Sequence, residues 1–328
     1  MEKSFGGKNL IEADARELRM SEIEEKLYDV LVQKKRNSGG EDRINPRDFS
    51  YYSKDIVDRD LEYVGKMEAI FRAEEERNPE LAKGRRRGEL FEEIIFEGID
   101  EGDWMGGDAE IQKSSRYDDI ANKIDGIITF TEEISDSHMV FGVDVTQSAD
   151  SVADKFSKIK KSIQLETLSE VKYFKSETYE GKLSKVPRVI VGVDGEGMKK
   201  AAEVVYNFIS RKDYLRAQKV KDPGAKQRFA EAQDAFAKSL FQMVILLEMS
   251  IQLHAFADYC RKTNRGKEVG IYDKAARKID TIFNEKKSAV DRNGESLVDV
   301  GALYEYVKED KVFQMIKQEV ARFGVDGR

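Results

Sequence analysis

The distribution of apolar and polar positions divides the chain into a helical start, a mixed middle and a helical end. Residues 10 to 35 place Leu18, Ile23, Leu27, Val30 and Leu31 near helical spacing, and the pattern stops at RNSGGEDRINPRD. A second helical stretch covers 56 to 76 and ends before Asn78-Pro79. From Gly84, GRRRGELFEEIIFEGI is amphipathic, with Leu90, Phe91, Ile94 and Ile95 on one face. Residues 109 to 114 read as a strand. The runs IDGIITF and MVFGVDVT are short, apolar and β-branched, as expected of buried strands. Thr131 to Ser137 is a polar turn between them. A helix follows over 148 to 163, with Ser148 at its N-cap, Asp150 in its first turn and Val152, Phe156, Ile159 and Ile163 as its buried stripe. VKYFKSETYEGKL reads as an edge hairpin, VPRVIVGVD as a buried strand and MKKAAEVVYNFI as a helix.

The order of helix, three strands, helix, strand, helix predicts an α/β core with a mixed sheet. The predicted organisation is a helical region over 1–83, an α/β core over 84–210 and a helical region over 211–328. Within the last, residues 240 to 257 are strongly apolar but interrupted by Glu248 and His254. A membrane span needs about 20 consecutive, mostly apolar residues. A core or homodimer helix is therefore expected there, and no membrane contact.

Composition narrows the picture. A net charge of -7 with 36% charged residues argues against a protein that coats nucleic acid indiscriminately, while leaving room for a local basic groove. Cys260 is the single cysteine, which excludes intrachain disulfides and cysteine-based zinc sites. The opening MEKSFGGKNLIEADARE has no apolar h-region, so a cytoplasmic protein is expected.

Two carboxylates stand where burial makes them costly: Asp125 opening IDGIITF and Asp144 within MVFGVDVT. A shared divalent cation is an economical explanation, because Mg²⁺ is commonly held by one or two carboxylates plus waters and phosphate oxygens. Asp125 alone also reads as an ordinary strand-start aspartate.

Over residues 84–210 the element order and these acids resemble the PD-(D/E)xK, or restriction-endonuclease-like, nuclease superfamily. Gly88 and Glu92 in GELFE match its G-x-x-x-E helix, and Asp125 matches the aspartate opening the second core strand. Asp144-Val145-Thr146 matches (D/E)-x-K with threonine in the lysine position. This D-x-T marks an atypical branch, and in some branches the lysine is carried by the following helix. Lys155 lies beside the buried stripe of that helix, Lys158 sits further round, and Lys161 points to solvent. Lys155 is therefore the first candidate and Lys158 the second.

The resemblance implies a Mg²⁺- or Mn²⁺-dependent endonuclease, a hydrolase acting on DNA. Asp125, Asp144 and the Val145 carbonyl would hold the ion, and Glu92 would be an outer or second ligand. Lys155 would act on the attacking water, and Thr146 would hydrogen-bond water or phosphate. The alternative is a nuclease fold without catalysis, serving as a binding or structural module.

Asp118 and Asp119 suit an Asx-type turn, and Asp119 is also placed to approach the site. Arg85, Arg86 and Arg87 are read as opening a helix, where positive charge opposes the dipole, which suggests phosphate contact or a solvated run. His138 and His254 are structural or exposed, and Trp104 is a packing anchor. GVDGEGMKK lacks both the Walker and G-x-G-x-x-G spacings and reads as a tight strand-to-helix connection.

Overall fold

The computed structural model describes residues 20–33, 43–131, 138–176, 179–217, 222–290 and 296–324. Helix α1 (Glu22–Tyr28) opens with a capping box. Ser21 Oγ accepts from the Glu24 N–H, and the Glu24 carboxylate accepts from the Ser21 N–H. A wider turn over Asp29–Gln33 extends it. The rest of the helix expected over 10–35 lies outside the described residues.

Helices α2 (Lys54–Arg77) and α3 (Pro79–Asp100) are separated by Asn78 alone. Asn78 accepts from the Glu80 N–H and Pro79 sits at N1, so α3 starts five residues before Gly84. This corrects the reading of Arg85–Arg87. They lie inside a helix rather than at its positive end, and they pair with Glu75, Glu25 and Glu24 respectively.

A four-stranded mixed sheet follows, in the order β1 (Ala109–Lys113), β2 (Gly126–Thr131), β3 (His138–Thr146) and β6 (Arg188–Gly192). The first three are antiparallel, and β6 joins β3 in parallel with Asp144 opposite Ile190. Thr131, expected to open the turn, ends β2; the rest of that turn, 132–137, and the His138 side chain fall outside what is described. Helix α4 (Ala149–Gln164) forms the crossover between β3 and β6, and its predicted stripe of Val152, Phe156, Ile159 and Ile163 is buried. Ser148 occupies the N-cap but its hydroxyl does not cap. The Thr146 hydroxyl accepts the Ser148 N–H instead.

The hairpin β4 (Ser169–Lys175) and β5 (Glu180–Val186) is a separate two-stranded sheet, not an edge of the main one. Val171, Phe174 and Val186 pack it against Ile124 and Ile127. The fully buried Asp118 fastens it by accepting the backbone N–H groups of Lys172 and Tyr173.

Helices α5 (Gly195–Ala217), α6 (Pro223–Ala237), α7 (Leu240–Lys262), α8 (Gly266–Ser288), α9 (Val300–Glu309) and α10 (Lys311–Phe323) complete the chain. One cluster of buried side chains runs from Leu27 through the sheet to Phe323, so all three sequence regions share one core. Trp104 anchors it, fully buried, with its indole N–H on the Phe236 carbonyl at 3.0 Å. Its ring lies against Gly98, where an added Cβ would fall 2.1 Å from a ring carbon.

The apolar stretch in α7 is a core helix, with 67% of its most apolar window buried. Glu248 and Gln252, one turn apart on α7, face the outer edge of β6. Gln252 accepts the Ile190 N–H at 2.9 Å and donates to the Ile190 carbonyl at 2.7 Å. Glu248 accepts the Gly192 N–H at 3.0 Å, and full burial pushes its carboxyl well above the usual range. These side chains replace a fifth strand and cover an edge that would otherwise bury unpaired backbone.

Replacing Gln252 by Leu strands the N–H and carbonyl of Ile190 in the core. The expected loss is about 2–4 kcal/mol of unfolding free energy in urea titrations, because each unsatisfied buried group costs about 1–3 kcal/mol. A loss under about 0.5 kcal/mol would show that the edge finds other partners.

Candidate active site

Strand β3 runs past the start of β2. Asp125 donates its N–H to the Val143 carbonyl at 2.9 Å, and there the pairing with β2 ends, so Val145 has β6 on one side, with Val191 opposite it, and no strand on the other, the side its N–H and carbonyl face. Side chains complete it. Asp125 Oδ2 accepts the Val145 N–H at 2.7 Å, and Lys155 Nζ donates to the Val145 carbonyl at 3.0 Å. The same ammonium forms an ion pair with Asp144 Oδ1.

Asp125, Asp144, Val145 and Lys155 thus converge on the backbone of one residue. Asp144 is 5% exposed on the sheet, and burial raises the Asp125 carboxyl well above the ordinary carboxylate range. After burial come the nearby charges of Glu92, Asp119 and Asp144, which push in the same direction, while Lys155 opposes them.

A second group of charges adjoins the first. Glu92, on α3, pairs with Arg43 at 3.2 Å, and Arg43 reaches Asp119 at 3.3 Å. Arg116 joins Asp119 at 2.5 Å to Glu68 of α2 at 2.9 Å. Burial pushes the Glu92 carboxyl up to about 7. Arg43 opposes that rise, and Asp119 reinforces it. Deeper along α3, Glu93 pairs with Lys113 of β1, and both are nearly buried.

Part of this group lines a cleft of about 1100 Å³: Arg43, Glu92, Arg116, Asp119, Val145, Thr146 and Lys155 are on its wall, whereas Asp125 and Asp144 are not among its lining residues. The remaining sequence candidates are placed differently. Thr146 turns its hydroxyl to Ser148 and Ser151, with Oγ–Oγ 2.6 Å to the latter, so it serves the start of α4. Lys158 is exposed on α4, further round the helix from the buried stripe than Lys155. His254 is exposed and pairs with Asp280 at 2.7 Å, away from the cleft. In GVDGEGMKK, Asp194 accepts the N–H groups of Glu196 and Gly197, which makes it a helix cap.

Arg43, Arg116 and Lys113 were not singled out from sequence. Arginine and lysine are abundant throughout this chain, and only the fold shows which of them face buried acids.

The donor set suits a hard divalent cation, since the available ligands are carboxylate and carbonyl oxygens. A cationic group, the Lys155 ammonium, already rests on Asp144 and the Val145 carbonyl beside Asp125. Among the described residues, no three His, Cys, Asp or Glu side chains form a ready ligand group by themselves. Two carboxylates, one carbonyl and solvent is therefore the coordination these residues offer. Comparison with protein-family models, curated proteins and solved structures finds no match to this chain.

The elevated Glu92 carboxyl carries a sign for stability. Its folded pKa of about 7 exceeds the unfolded value, so the folded state holds the extra proton between those limits. Stability from this group is full below about pH 4.5 and falls as pH rises to about 7. Glu92→Gln should therefore gain on the wild type by about 1–3 kcal/mol between pH 5 and pH 8 in metal-free denaturant titrations. A difference that stays constant across that range would place the Glu92 proton elsewhere.

Proposed function

We propose that this protein is a metal-dependent nuclease hydrolysing phosphodiester bonds, with DNA as the favoured substrate. The observation carrying this reading is the convergence of Asp125, Asp144 and Lys155 on the backbone of Val145. The element order of α3, β1, β2, β3, α4 and β6 supports a restriction-endonuclease-like core, with the D-x-T strand of the atypical branch.

Asp125, Asp144 and the Val145 carbonyl are the groups that would hold Mg²⁺ or Mn²⁺, with Glu92 as the further acid. When bound, the ion supplies a water of lowered pKa and neutralises charge on the scissile phosphate. The chain's own contribution is positional. Asp125, just before β2, is fixed by accepting the Val145 N–H, and Asp144, within β3, by its ion pair with Lys155, so they need little reorganisation as charge develops. Lys155 brings the ammonium absent from position 146. It orients the attacking water and donates to the phosphate oxygens as they gain charge. The cleft beside it takes the backbone of the nucleic acid.

A second reading, a nuclease fold kept as a binding or structural module, is favoured by the engaged Thr146 hydroxyl and by the Lys155–Asp144 ion pair. The two readings part on metal binding. In the first, calorimetry detects Mn²⁺ binding that Asp125→Asn and Asp144→Asn each abolish. In the second, the wild type binds none.

Cleavage of plasmid and single-stranded DNA in Mg²⁺ and in Mn²⁺ tests activity. Asp125→Asn, Asp144→Asn and Lys155→Ala should each lower the rate by about 10²–10³-fold with unchanged circular dichroism. Lys158→Ala should cleave as the wild type does. If Lys158→Ala is the damaging change and Lys155→Ala is silent, the ammonium has been assigned to the wrong turn of α4.

A further inference from the structure

Five charged side chains form an alternating row along one wall of the cleft: Glu68, Arg116, Asp119, Arg43 and Glu92. They come from α2, the segment between β1 and β2, the residues before Asn45, and α3. Arg43 links Asp119 to Glu92. Its backbone pairs with Lys113 at the edge of β1, and the Ile44 N–H donates to the Lys113 carbonyl at 3.3 Å, which fixes where its side chain starts. Its guanidinium donates to Glu92 Oε2 at 3.2 Å and to the Ser114 carbonyl at 3.4 Å, and it lies 3.3 Å from Asp119. Arg43, Glu92 and Asp119 have side chains 17%, 19% and 17% exposed, so the group is half-sheltered but reachable from the cleft.

A guanidinium fork fits carboxylate and phosphate oxygens equally well, and it cannot lose its charge. Carboxylates in turn accept either a guanidinium or a divalent cation. Arg43, Glu92 and Asp119 line the same cleft as Val145 and Lys155, and the charges of Glu92 and Asp119 both push the Asp125 carboxyl up. A divalent cation settling beside Asp125 and Asp144 therefore competes with Arg43 for the same negative charge.

The geometry points to Arg43 as a substrate-binding residue that exchanges partners. Without metal it neutralises Glu92 and Asp119. When a divalent cation takes over that neutralisation, Arg43 turns to a phosphate of the nucleic acid in the cleft. This rests on the metal-dependent nuclease reading and adds a coupling to it: metal and nucleic acid each strengthen the other's binding, by the same factor and through this side chain.

The test uses the full chain and two ligands. Mn²⁺ alone is titrated calorimetrically. A short fluorescent single-stranded oligodeoxynucleotide is titrated by anisotropy, in EDTA and in Ca²⁺, with gels confirming that it stays intact. Arg43→Ala should bind Mn²⁺ about tenfold more tightly, because the competitor is gone, and the oligonucleotide in Ca²⁺ about tenfold more weakly. Its salt dependence in Ca²⁺ should be shallower by about 0.7 in log–log slope, the share of one phosphate on a single strand. In EDTA the variant and the wild type should bind the oligonucleotide alike.

Opposite movement of the two affinities is something a purely structural residue would not produce. Both affinities falling together, or an unchanged oligonucleotide affinity in Ca²⁺, overturns the proposal. Arg43→Gln, which keeps a polar group against the two carboxylates, repeats the measurement should Arg43→Ala fail to fold, with the same outcomes deciding. Asp144→Asn separates the two levels. If the wild type and this variant alike bind no Mn²⁺, the nuclease reading itself fails and Arg43 falls with it. If the wild type binds Mn²⁺, Asp144→Asn does not, and Arg43→Ala binds as the wild type does, only the exchange is wrong.

Discussion

Val145 has an N–H and a carbonyl that no neighbouring strand can reach, and the candidate site follows from that constraint. An orphan donor and an orphan acceptor at the end of a buried strand cannot both be left unpaired. Asp125 takes the donor and Lys155 takes the acceptor. Satisfying one residue's backbone thus draws a carboxylate and an ammonium together, and Asp144, next along β3, completes the group through its ion pair with Lys155. The groups proposed to hold a cation and the closure of a strand end are the same set of contacts.

The acids around this point are held against a penalty. Burial and neighbouring negative charge raise the Glu92 and Asp125 carboxyls, and Arg43 and Lys113 at Glu92 and Lys155 at Asp125 offset only part of that rise. The row of ion pairs from Glu68 to Glu92 also ties α2 and α3 to the turn before β2, so the cleft wall and its chemistry are built from the same charges.

The platform beneath depends on α7. Glu248 and Gln252 satisfy the outer edge of β6, which leaves β3 flanked on both sides and Asp144 fixed opposite Ile190. Helix α10 packs onto both α4 and α7, with Phe323 against Phe156 and Phe256, so the helix carrying Lys155 is braced by the C-terminal region. Regions that differ in sequence character therefore meet in one core.

The strands, the stripe of α4 and the unusual status of Asp125 and Asp144 were legible in the sequence. Periodicity of two or 3.6 residues reports which face is apolar, and a carboxylate inside an apolar run is visible without a fold. The position of Lys155 beside that stripe was readable for the same reason, since helical spacing fixes angular position. Other features were not. Arg85–Arg87 changed meaning because one asparagine and one proline upstream moved the start of α3. Glu248, read as an interruption of an apolar helix, acquired its purpose only when β6 arrived beside it. Arg43 became part of the cleft through contacts with residues 49 and 76 positions away. Local pattern determines what each segment buries; which charges end up facing one another is set by long-range packing, because ion pairs carry no periodicity of their own.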